Sequence, residues 1–124
     1  MNVGLELRTE GDLEEFLAAL GDKITVTGRE GENTSLFYAA LHFNEKCNSV
    51  DETVAMVLAT VQSLSLTMKL VWEGCVSRQV NIGIQAGREP YDYQFDLSDK
   101  TAALLASMRC GLGVIVHAVE MAPA

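Results

Sequence analysis

The fold turns on VQSLSLTMKLVWEG, residues 61–74. Read at alternate positions, Leu64, Leu66, Met68, Leu70 and Trp72 make one face of a strand. Read at helical spacing, Val61, Leu64, Met68, Val71 and Trp72 prolong a stripe begun by Val54, Val57 and Leu58, with Gly74 placed to end it. Periodicity admits both readings; the helical one, broken near Ser63 or Ser65, is carried forward. Upstream, Ser49 and Glu52 have the spacing of a capping box and mark where this helix begins.

Further towards the N-terminus, Val3, Leu5 and Leu7 alternate with Glu6 and Arg8, the pattern of a half-buried strand. A helix follows, with Asp12 as cap, Glu15 completing a capping box, and Leu13, Phe16, Leu17 and Leu20 in one apolar stripe that Gly21 ends. KITVTG is a short strand and GREGEN a polar loop. SLFYAALHF, residues 35–43, is apolar on both faces, as in a central strand covered on both sides or at an interface. Downstream, residues 79–86 alternate as a strand and Gly87–Pro90 reads as a turn. In YDYQFDL, Tyr91, Tyr93, Phe95 and Leu97 alternate with Asp92, Gln94 and Asp96, giving a strand with an aromatic side and an acidic side. Ser98 caps a third helix, which Gly111 ends, and residues 112–119 form a last strand, apolar on both faces and therefore expected inside the sheet.

These elements predict an α+β domain over residues 1–120. It has one mainly antiparallel sheet of five to six strands with about three helices packed on it, and residues 121–124 are a loose tail. The strand–helix–strand–strand–helix–strand order of the first part resembles a ferredoxin-like arrangement, extended at its C-terminal end.

The capped helix ending at VWEGC, the strand VNIGIQA, the helix DLSDKTAALLASM and the run RCGLGVIVHAV also resemble an uncharacterised bacterial domain family. The resemblance covers about residues 49–119. Phe37 and Tyr38 stand where that family would have a tryptophan in the central strand. Some proteins of this type look like immunity proteins, encoded beside toxin genes. The family supplies no catalytic residues.

Composition narrows the function. The chain has 124 residues and a net charge of −8, which disfavours nucleic acid and anionic membranes and favours a basic protein partner. No run reaches the roughly 18 apolar residues of a membrane span, and the N-terminus has no apolar core of signal-peptide length, so a cytoplasmic location is expected. Cys47, Cys75 and Cys110 fit neither a disulfide framework nor a zinc pattern and read as small apolar residues. His42 and His117 would approach each other if their strands paired, as an acid–base or metal pair, but they read better as two separately hydrogen-bonded side chains. Glu10, Asp12, Glu14 and Glu15 suit the start of a helix dipole better than a catalytic pair. GREGEN lacks the Lys and Ser/Thr of a phosphate loop, and no nucleophile elbow occurs. Met56, Met68 and Met108 lie on helical stripes as core filler.

The expectation is a non-enzymatic, acidic binding protein with no metal and no cofactor. It would neutralise a basic partner such as a toxin by occlusion, as the resemblance to immunity proteins implies. Asp92, Gln94 and Asp96 are the expected contact residues. The alternative is a small-molecule-binding or regulatory domain acting as a homodimer through its apolar strands.

Overall fold

Ser65 settles the open question in residues 61–74. Its hydroxyl accepts a hydrogen bond from the Met68 backbone N–H at 3.3 Å and starts a new helix at Leu66. Two residues earlier, the Ser63 hydroxyl turns back onto the Thr60 carbonyl at 2.6 Å and closes the helix before it. Two serines within three positions thus interrupt an apolar stripe and bend it by 117°.

In the computed structural model, which describes residues 2–30, 36–45, 47–85 and 94–117, the order is β1 (Asn2–Thr9), α1 (Glu14–Leu20), β2 (Ile24–Glu30), β3 (Phe37–Phe43), α2 (Val50–Gln62), α3 (Leu66–Glu73), β4 (Ser77–Gln85), α4 (Asp99–Ser107) and β5 (Gly111–His117). The five strands form one sheet in the order β2-β3-β1-β4-β5. The first three neighbouring pairs are antiparallel, and β5 is parallel to β4. The first four strands thus have the split β-α-β order expected from the sequence, with α4 and β5 added at one edge by a parallel crossover. The fold is α+β, and the broken helix makes four α-helices among the described residues where three were expected.

One face of the sheet carries the core. Leu5 pairs with Leu41 and with Val80, and Val3 with Ile82, so these side chains point to one side and are buried. Phe16 of α1, Val54, Val57 and Leu58 of α2, and Trp72 of α3 close over them. Trp72 stacks on Phe16 with ring centroids 6.2 Å apart, and its indole N–H donates to the Met108 carbonyl at 3.1 Å. Burying each such side chain is worth roughly 1.5–3 kcal/mol. The other face has no helix over it among the described residues. It presents Glu6, Arg8, Tyr38, Ala40, His42, Gln79 and Asn81, with the Arg8 guanidinium 4.8 Å from the Tyr38 ring centroid.

Several local expectations change. Asp12 accepts from the Glu14 N–H at 2.7 Å, one residue short of the proposed capping box with Glu15, and Leu13 takes the N-cap position. Gly21 does end α1, in a left-handed conformation at φ 58°. α4 closes at Arg109, which takes φ 54° in place of a glycine, and Gly111 instead opens β5. Phe37–Phe43 lies between two strands, but it is covered on one face only. Among the described residues β5 is not internal: it is the edge of the sheet, and most of its side chains are exposed. Residues 94–98 make no strand pairing. The expected turn at 87–90, the residues Tyr91, Asp92 and Tyr93, most of the GREGEN loop and the 121–124 tail lie outside the described residues.

Candidate functional site

The proposed contact residues fall on the chain that enters α4. Gln94 and Asp96 are exposed, and the Gln94 amide donates to both carboxylate oxygens of Asp96 at 3.3 and 3.4 Å. Phe95 and Leu97 alternate with them and pack on the core. The two-sidedness read from the sequence is therefore real for residues 94–97, although they make no strand pairing among the described residues. Asp92 is outside the described residues.

Hydrogen bonds at the start of α4 fix this segment. Ser98 caps α4 by accepting from the Thr101 N–H at 3.1 Å, and its own N–H donates to the Asp51 carboxylate at 2.7 Å. That bond and the Thr101 hydroxyl hold the Asp51 carboxyl below its ordinary value of 3.8. Asp51 opens α2, so the first turns of α2 and α4 lie side by side, with Asp51, Asp96 and Asp99 near one another in the chain path. This is the end of the sheet where β4 and β5 finish: residues at the start of α2 share a groove with Asn2 and Val3, and Asn2 pairs with Gly83 near the end of β4.

β5 finishes at the same end. Leu112, Val114, Ile115 and Val116 are 41%, 49%, 44% and 63% exposed, high values for four apolar side chains in five consecutive positions. Leu112, Val114 and Val116 share a face with Val80, Ile82 and Ile84, the helix side. α4 packs against α2 and does not cover them. The residues of β5 include no formal charge and no proline. The opposite edge, β2, carries Arg29 and Glu30 and a register shift between Val26 and Gly28, and Arg29 is paired with Glu14 at 3.0 Å. Charges and bulges are the usual guards against edge-to-edge pairing. One edge has them and the other does not.

The chain matches no family model, no curated protein and no solved structure. The site is therefore read from its geometry alone.

The histidines stay apart. His42 is on β3 and His117 on β5, with β1 and β4 between them, so their strands do not pair and about 14 Å of sheet separates the two backbones. Sequence reasoning placed both in strands but had no strand order with which to separate them. Both are on the open face, His117 beside Gly83 and His42 at a shallow groove of about 180 Å³ floored by Gly4, Ala40 and Gly83. That volume is below the roughly 300 Å³ at which ligand pockets usually begin. Among the described residues, no three His, Cys, Asp or Glu side chains converge to hold a metal ion. Burial pushes the Cys110 thiol up to about 11 and raises that of Cys75, so neither is a thiolate at neutral pH. No single described helix is long and apolar enough to cross a membrane.

A second concave region, which the sequence did not point to, lies where α2, α3 and α4 end and β4 begins. It has about 430 Å³ of space and is walled by Val61, Gln62, Trp72 and Met108, with Lys69, Glu73, Arg78, Ser107 and Arg109 supplying its polar groups. Arg78 ties the helix ends together, donating to the carbonyls of Trp72 at 2.9 Å, Cys75 at 2.8 Å and Arg109 at 3.1 Å.

Proposed function

We propose that the protein is a non-enzymatic, acidic protein-binding domain that engages a basic protein partner and neutralises it by occlusion, in the manner of an immunity protein. The observation that carries this reading is the β5 edge, which among the described residues is an uncharged, uncovered strand with four exposed apolar side chains. An extended segment of a partner can add to it by main-chain pairing, with Leu112, Val114 and Val116 as the buried centre. Exposed carboxylates at the end where β5 finishes, Asp96 and Asp99, form an acidic rim that steers a basic partner. Gln94, and Asp92 beyond the described residues, continue that rim in sequence.

The test is affinity capture with wild type and two variants. Val114→Lys places a charge at the centre of the edge and should abolish capture of a stoichiometric basic protein, with the melting temperature little changed because the side chain is half in solvent. Asp96→Asn should slow association and weaken the complex several-fold. Retention of the same partner by Val114→Lys at wild-type strength would sink the proposal. A second reading, a homodimer through the same edge, is favoured by the self-complementarity of GLGVIVH. About a two-fold axis at Val114, Leu112 meets Val116 of the second copy, Gly113 meets Ile115 and Gly111 meets His117, so each glycine faces a larger side chain.

A further inference from the structure

We propose that the cavity at the ends of α2, α3 and α4 binds a small organic anion: a carboxylate or phosphate head on an apolar body. It lies at the other end of the sheet from the acidic rim, where β4 begins, and it is independent of the protein-binding reading.

Charge is the first argument. The chain carries −8 overall and only nine Lys and Arg, yet three of those nine line this one cavity against a single carboxylate, Glu73. A solvated surface would spread them among the abundant acids. Commitment is the second. Arg78 spends its Nε and Nη1 on the carbonyls of Trp72 and Glu73 at the end of α3 and of Cys75 and Arg109 just past the ends of α3 and α4, which covers part of the negative charge of those helix ends. Lys69 is half-buried, and no hydrogen bond or ion pair to its ammonium or to the Arg109 guanidinium occurs among the described residues. Two cations thus line one cavity, and among the described residues neither has a hydrogen-bond or ion-pair partner for its charged group.

The third argument is backbone. α4 ends in a Schellman turn: the Cys110 N–H donates to the Leu105 carbonyl at 2.9 Å and the Arg109 N–H to Ala106 at 3.1 Å. The left-handed residue of such a turn is ordinarily glycine, because a Cβ is disfavoured there. Here it is Arg109, at φ 54°. Keeping an arginine in a conformation that suits glycine makes sense when the guanidinium at that spot is used. The size suits the assignment, since about 430 Å³ lies within the range of small-molecule sites, and Trp72, Val61 and Met108 offer an apolar wall.

Trp72 is the only tryptophan in the chain, so its fluorescence reports on this cavity directly. Phenyl phosphate and benzoate should each give a saturable change, compete with one another, and rank to show which head group fits. Neutral phenol should give none. Arg109→Gly separates binding from folding. It relieves the left-handed strain, so the melting temperature should hold or rise, while affinity for the better anion falls at least about tenfold. Lys69→Gln should cause a comparable loss. Equal affinity in wild type and Arg109→Gly, equal response to phenol, or no saturation below roughly 1 mM for either anion would each overturn the proposal.

Discussion

Asp51 shows how much of this structure depends on single side chains whose role no local pattern announces. As a residue in the first turn of α2 it looks like an ordinary dipole partner. In the fold it receives the Ser98 N–H, which comes from 47 positions downstream and fixes the start of α4. Its native pKa lies below the ordinary value because the Ser98 N–H, then the Thr101 hydroxyl, favour the charged form. A lowered native pKa means that the ionised group stabilises the fold. That contribution is complete above the unfolded value near ~4 and is lost as pH falls through the native one. Asp51→Asn should therefore melt lower than wild type at about pH 6, and the gap should narrow as pH falls below the ordinary carboxylate value. Thermal melts across that range check it, and a gap that is constant with pH would mean that the charge is not its source. Gly4 is a similar case. A Cβ there would sit 2.8 Å from the Leu41 carbonyl oxygen, so β1 and β3 approach as closely as they do only because residue 4 is glycine. The sequence shows the glycine but not the neighbour that requires it.

At the scale of elements, what was legible followed from chemistry that acts over a few residues. Ser49 and Ser98 cap α2 and α4, as their spacing indicates, each through the backbone N–H three positions on; Ser65 caps α3 in the same way, where the sequence indicated only a break near Ser63 or Ser65. A cap is a local bond, so its signature survives in one dimension. The alternation of residues 94–97 was legible for the same reason, but the conclusion that it must be a strand was not sound. Period-two burial requires only extended backbone lying on a core, and a ladder requires a neighbour that local sequence does not specify. Phe95 and Leu97 lie on the core while Gln94 and Asp96 face solvent. Removing the Phe95 ring should cost about 1–3 kcal/mol, the range for a partly buried aromatic. Asp96→Asn should change stability by no more than about 0.5 kcal/mol. Chemical denaturation of the two variants compares them. A larger loss from Asp96→Asn than from Phe95→Ala would mean that the two sides are reversed and that the aromatic side faces outward.

For the whole molecule the order of the elements, and with it the split β-α-β core, was legible in the sequence, but which strand would be left at the edge was not. The run at 112–117 is apolar on both faces, and cover on both sides was the natural inference. That pattern is the same whether the cover comes from the chain's own elements or from another molecule. Among the described residues nothing covers β5, so the apolar strand is a surface there. Two occupants compete for it, a basic partner and a second copy of this chain, and electrostatics separates them. A complex with a basic protein joins opposite charges, so added salt weakens it. A dimer joins two bodies of charge −8 through an uncharged strand, so added salt screens their repulsion and strengthens it. A contact one strand long is at the small end of interface sizes, below about 1,200 Å², so any self-association should depend on concentration and stay partial. Sedimentation of the isolated protein over a range of concentrations at low and high salt should show a dimer fraction that grows with salt if the second copy is the occupant, and Val114→Lys should return it to monomer. A monomer at every concentration and salt would exclude the second copy and leave β5 to a different partner, whose binding should then fall as salt rises.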